Sequence, residues 1–203
     1  MADLRGRADA VCQIDCAELR GLPAAEPLPP HGVLAFFGDH DAVQGGDSLG
    51  MSAVYHWPDA DRLVAAQPPI EPILIFPACA VAPRPIFDLP HPFSTAVNKL
   101  QFGKEERDAY FDVWLEIREH GIPRECVRYA GFSKLLGWPD LLQNDLWRFE
   151  SQDDARLLLQ VDSYCNGETL HGWGTGGNLY YLLPECDLRA RFYDNCDFEG
   201  QFT

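Results

Sequence analysis

Two stretches far apart in the chain follow one plan. "VCQIDCAELRGLPAAEPLPPHGVLAFF" runs from Val11 to Phe37, and "LLLQVDSYCNGETLHGWGTGGNLYYLL" runs from Leu157 to Leu183. Each reads Gln-hydrophobic-Asp, then a loop, then Gly followed by an apolar, aromatic-rich run. Gln13-Ile14-Asp15 aligns with Gln160-Val161-Asp162, and Gly32 to Phe37 with Gly177 to Leu182; the Gln-to-Gly spacing is 19 and 17 residues. Both copies read strand, irregular loop, strand. The pattern predicts an internal duplication, with two half-units burying their apolar faces against each other around one core. On this reading Asp15 and Asp162 are structural: a Gln-x-Asp at a strand end supplies side-chain donors and acceptors to loop backbone. The Gly opening each second strand allows a backbone other residues resist.

The rest of the chain fits around that frame. "GVLAFFGD" and "SAVYHW" read as strands stopped by Gly38-Asp39 and Pro58, and they predict an antiparallel pair. Residues 67–92 hold eight prolines, so extended structure and loops are expected there, with "ILIFPACAV" as an edge strand. The segment 104–120 predicts a helix. Tyr110, Val113, Trp114 and Ile117 form its apolar stripe, Glu105 and Glu106 stand in the first turn, and Gly121 and Pro123 end it. "ARLLLQVDS" reads as a strand buried on both faces, and "NLYYLLP" as another. The closing "DLRARFYDNCDFEGQF" has apolar residues at mixed spacing and no assignable type. The expectation is an α+β fold of mostly antiparallel sheet with a few helices. It forms a single domain with half-units at about 10–66 and 131–203, joined by the Pro-rich segment and the 104–120 helix.

Charge narrows the function. With 31 acidic and 16 basic residues among 203, the net charge is −15. Such a surface repels phosphate backbones and anionic lipid, so neither nucleic acid nor membrane is an expected partner, whereas a basic protein is. "MADLRGRADAV" has no apolar signal core, and the seven Cys contain no Cys-x-x-Cys pair. A cytoplasmic protein in which most of the cysteines act as small buried hydrophobes is expected.

Motifs for chemistry are sparse. Asp39-His40-Asp41 reads as a solvated turn, and the six His sit apart at 31, 40, 56, 91, 120 and 171. No metal site and no cofactor are expected. "GWGTGG" lacks the Lys and Ser/Thr of a phosphate loop and precedes a strand rather than the helix a dinucleotide fingerprint opens. A turn presenting an exposed Trp173 is expected instead.

The ordered set "CQIDCAEL", the Pro-rich connector, "GVLAFFGD", "KLLGWPDLLQND", "LLLQVDS" and "GWGTGGNLYYLL" resembles the YwqG-like family of bacterial proteins of unknown function over about residues 11–190. The family pattern maps onto Gly137, Pro139, Gln143, Asp145, Gln160, Asp162, Trp173 and Gly174. Thr175 stands where the family has Asp, and the family's longer lead before the first Gln, with its Gly-Gly-x-Pro and Trp-Pro segment, is not matched. The resemblance implies a mixed α+β fold and no defined activity; some relatives are thought to be immunity proteins beside bacterial toxins. Two functional expectations follow. One is a noncatalytic acidic module, immunity-like or stress-related, that holds a basic protein. The other is an enzyme or small-ligand binder whose polar and aromatic cleft joins Gln143, Asp145, Asp162 and Trp173.

Overall fold

The computed structural model describes residues 9–39, 49–50, 52–65, 79–121, 133–166, 169–173 and 176–202. Two antiparallel sheets form the frame, as an α+β reading requires. β1 (Asp9–Asp15), β2 (Val33–Gly38) and β4 (Ser52–Trp57) make a three-stranded meander in the order β1-β2-β4. The larger sheet runs β3 (Leu49–Gly50), β10 (Asp197–Phe202), β9 (Gly177–Pro184), β6 (Ala155–Asp162) and β5 (Lys134–Leu135). β7 (Tyr164–Asn166) and β8 (Thr169–His171) form a ribbon in the β6–β9 connection. The helices are α1 (Thr95–Asn98), α2 (Lys104–Gly121), α3 (Trp147–Ser151) and α4 (Glu185–Ala190).

The two Gln-x-Asp strands pair with their aromatic-rich partners in the same register. Gln13, Ile14 and Asp15 lie opposite Ala35, Leu34 and Val33; Gln160, Val161 and Asp162 lie opposite Tyr180, Leu179 and Asn178. Both pairs slip at the same place, between Ala10 and Cys12 in one and between Leu157 and Leu159 in the other. Behind each Asp, the next N–H bonds the glycine carbonyl: Cys16 to Gly32 at 2.9 Å, Ser163 to Gly177 at 3.1 Å. The glycines meet matching walls. A Cβ on Gly32, whose φ is +88°, would stand 2.3 Å from Trp57 O, and one on Gly177 would stand 2.5 Å from Gln201 O. Trp57 pairs with Val33, and Gln201 with Asn178, one residue beyond each glycine.

One face of each sheet supplies the main core. Leu34, Phe36 and Val54 of the small sheet pack with Leu159, Leu179, Tyr181 and Phe198 of the large one. Phe36 and Tyr181, which hold corresponding places in the two patterns, meet edge to face at 5.1 Å. A second, smaller cluster of Leu146, Leu157, Tyr180 and Leu182 lies on the other face of the large sheet. "ARLLLQVDS" is therefore buried on both sides, as its leucine run predicts.

Surroundings divide the two Gln-x-Asp segments. Gln13 and Asp15 are exposed, whereas Gln160 and Asp162 are buried. Asp15 braces its own loop, its Oδ1 accepting the Ala17 N–H at 2.8 Å. Gln160 instead holds a segment that crosses the sheet, described below.

Three expectations are corrected. Val113 is half exposed at 48%, because only Trp114 of the helical stripe is buried and Tyr110 and Ile117 are partly so. Of the five cysteines described, Cys16 alone is buried, Cys12 and Cys196 are half-buried and Cys79 and Cys186 are exposed, so most of these five are not interior. Trp173 is buried, held by hydrogen bonds from its indole and backbone N–H groups to Val161 O and Ser163 Oγ. The edge strand expected at 73–81 falls largely outside the described residues; 79–90 has no regular structure. His40, Asp41, Pro123, Gly174 and Thr175 also lie outside them.

Candidate functional site

Strand alternation builds an unusual surface on the outer face of the large sheet. Lys134, Gln160, Tyr180 and Glu199 stand in one row across β5, β6, β9 and β10, and Asp162, Asn178 and Gln201 in the next. All are buried. Polar groups shut away from water need partners, and here the segment 138–148 provides them by lying across the sheet.

The segment starts from a tight turn. Leu136 and Gly137 both have positive φ, 60° and 78°, and a Cβ on Gly137 would stand 2.7 Å from Asp88 Oδ2. Asp88 accepts from the Trp138 N–H at 2.8 Å and from Lys134 Nζ at 3.3 Å. Burial pushes the Asp88 carboxyl up, and Lys134 acts against that. Pro139 then leads the chain onto the sheet, where residues 138–140 take no regular secondary structure.

Asp140 is the hub. Its N–H donates to Gln160 Oε1 at 2.8 Å, and its Oδ2 accepts from Gln160 Nε2 and Lys134 Nζ, both at 3.1 Å. Its Oδ1 is ion-paired with Arg118 of α2. Its carbonyl accepts from Asn178 Nδ2 at 3.1 Å and from Tyr180 OH at 2.6 Å. Arg118 also lies over the Trp114 ring, 4.8 Å from its centroid, and His91 meets that ring edge-on at 4.9 Å. Burial, then the positive Arg118, hold the His91 imidazole below its usual range.

Further along, Gln201 Oε1 accepts from the Leu142 and Gln143 N–H groups at 2.9 and 3.2 Å, and its Nε2 donates to Asn144 O at 2.7 Å. Glu199 Oε2 accepts from the Trp147 N–H at 3.0 Å, and Arg148 pairs with Asp197. Burial pushes the Glu199 carboxyl up to about 7, with the Trp147 N–H acting against it.

The four residues singled out in the sequence fall into two places. Gln143 and Asp145 sit on the cover segment: Gln143 Nε2 donates to Phe202 O at 2.7 Å, and Asp145 accepts from the Thr95 and Leu146 N–H groups. Asp162 lies on the sheet face, in the row that Gln201 of this layer ends. Trp173 packs into the main core with Leu159, Leu179 and Tyr181, residues of the opposite face. Sequence reasoning missed Asp140, Lys134, Arg118, Glu199 and Gln201. The "KLLGWPDLLQND" string, which holds Lys134 and Asp140, offered the one signal; Arg118 sits in the expected helix, and Glu199 and Gln201 in the closing stretch whose type could not be assigned.

The layer is almost saturated with internal partners. The exceptions among its side chains are Asp162 Oδ2 and Asn178 Oδ1, buried and without a hydrogen-bond partner. Burial, with a smaller push from Asp140, raises the Asp162 carboxyl to about 7 against the Ser163 N–H and Arg118. Among the described residues no cluster of three or more His, Cys, Asp or Glu side chains could hold a metal ion, and no helix is long and apolar enough to cross a membrane. What the arrangement does chemically is fasten backbone: side chains of the sheet hold residues 140–148 in place, and Arg118 ties α2 to the same layer.

No curated protein matches the chain. A family model described as a domain of unknown function, DUF1963, matches residues 9–201; the chain belongs to that family.

Proposed function

We propose that the protein is a noncatalytic binding module that holds a basic protein on the outer face of α2. One observation carries the reading. Glu105, Asp108, Asp112, Glu116 and Glu119 are all exposed, and at 100° per residue they fall within an arc of about 80° on that helix. Exposed Val113 and Leu115 flank this stripe, one on each side. A continuous acidic ridge with apolar shoulders suits a partner whose cations surround a few apolar anchors. The net charge of −15 adds a long-range attraction for the same class of partner.

The family match is consistent with the YwqG-like likeness, and the shared register of the two strand pairs supports reading them as copies of one ancestral half-unit. A basic bacterial toxin neutralised in the cytoplasm is the kind of partner the reading favours. The test is capture from native extract with the chain immobilised, at low salt and at about 0.15 M salt. Capture of a basic protein that weakens with salt and is lost in the triple variant Asp108→Lys, Asp112→Lys, Glu116→Lys supports the reading. Capture that ignores both salt and charge reversal overturns it.

A further inference from the structure

Asp162 and Asn178 are directly opposed in the β6–β9 register, so their side chains rise from the same face with Cβ atoms about 5 Å apart. They are 8% and 1% exposed. Each has one oxygen without a donor, Asp162 Oδ2 and Asn178 Oδ1. The orientation of the amide is fixed, because Asn178 Nδ2 donates to Asp140 O; turned over, the amide would set its oxygen against that carbonyl. The two deficits thus stand on directly opposed residues of one buried face, and one hydrogen atom shared between them would remove both.

Groups packed around the pair favour a neutral carboxyl. The cover segment brings the Asp140 carboxylate, and α2 brings Arg118, whose guanidinium is already paired with Asp140 and lies over Trp114. β5 brings Lys134, engaged with Asp88, Asp140 and Trp138 O. Ser133 Oγ accepts the Asp162 N–H, and Ser163 Oγ is bonded to Gly177 and Trp173. On the sheet itself, Gln160 is committed to Asp140, and Tyr180 OH to Asp140 O. The carboxyl's displacement to about 7 agrees in direction.

We propose that Asp162 is a neutral carboxylic acid in the folded protein, its Oδ2–H donating to Asn178 Oδ1, and that this pair is a pH-sensitive latch for the cover segment. Deprotonation would leave an amide oxygen against a carboxylate, with Asp140 a second negative charge beside it. The relief available is for Asn178 to swing its Nδ2 from Asp140 O toward Asp162, which releases one of the bonds holding the segment to the sheet. The first half has no counterpart, since Asp15 is exposed and faces Val33.

Carboxyl carbon shifts of the full chain labelled with ¹³C, followed from acid to alkaline pH, read the proton directly. The latch requires Asp162 to titrate at a proton concentration at least a hundredfold lower than that of a free aspartate, whose pKa is about 3.9; titration at the free value overturns it. Amide exchange over residues 140–146, corrected for the intrinsic rate, gives the second reading. Protection is expected to fall at least tenfold across the Asp162 titration, and the fall to vanish in Asp162→Asn, which keeps a donor toward Asn178. Protection unchanged through the Asp162 titration overturns the latch, and the wild-type measurements decide it even if the variant does not fold.

Discussion

Gln160 and Gln13 hold corresponding register positions yet live in different solvents, and the pair gives a sharp test of the buried layer. Gln160 is fully buried; its Nε2 donates to the Asp140 carboxylate and its Oε1 accepts the Asp140 N–H. In Gln160→Leu, volume is nearly kept while both bonds are lost. The bond to the carboxylate contributes about 1.5–3 kcal/mol, and the orphaned N–H of Asp140 costs about 1–3 kcal/mol. Since such terms overlap, the expected loss is about 3 kcal/mol. Gln13 is exposed, and Gln13→Leu should stay within about 0.5 kcal/mol of wild type. Urea unfolding followed by circular dichroism reads both. At a slope of about 2 kcal/mol per molar urea, Gln160→Leu should lower the midpoint by about 1.5 M with the slope unchanged. Equal, small shifts for the two variants would refute the claim that the layer is a fastened, water-free interior.

Other consequences are as direct. Phe36→Ala removes a fully buried ring at the joint between the sheets and should cost about 3–5 kcal/mol in the same unfolding assay. Gly32→Ala puts a Cβ 2.3 Å from Trp57 O at a φ of +88°, so thermal unfolding should show a clear drop in Tm, whereas Gly21→Ala, with φ +86° but open space around it, should cost only the backbone strain, about 1 kcal/mol. Stability should also depend on pH. Asp162 and Glu199 both have folded values near 7, above an unfolded value of about 4. Between those limits the folded state binds protons that the unfolded state has lost. Unfolding free energy should therefore fall as pH rises from about 4 to about 7, by a few kcal/mol, and level off above. Asp162→Asn and Glu199→Gln should each flatten part of that slope; a profile that rises over the window would contradict both assignments.

Where the sequence was readable, periodicity and end signals set the elements. The leucine-rich β6, the "NLYYLLP" strand and the "GVLAFF"–"SAVYHW" pair stand where their apolar patterns put them, and the helix from Lys104 forms where its pattern puts it although only Trp114 of its stripe is buried. β10 shows why the remainder was hidden. In "DFEGQF", Asp197, Glu199 and Gln201 alternate with Phe198, Gly200 and Phe202, the pattern of a strand with one wet face, but Glu199 and Gln201 are buried beneath residues 138–148. A polar face covered by backbone cannot be told from a polar face covered by water until the cover is placed. The same ambiguity conceals Lys134 and Arg118, whose partners Asp88 and Asp140 are remote in sequence or lie in a loop. Trp173 erred in the opposite sense: its glycine-rich neighbours suggested a surface turn, while its ring completes the main core.

The outward face of α2 is the proposed working surface, and the layer under residues 138–148 is its scaffold. The most direct measurement compares capture of a basic partner by wild type, by the α2 charge-reversal variant and by Gln143→Ala with Asp145→Asn, all shown folded by circular dichroism. Charge reversal should abolish capture, and the cover-segment changes should leave it intact. Capture lost with Gln143 and Asp145 but retained after reversal of the helix would contradict the proposal.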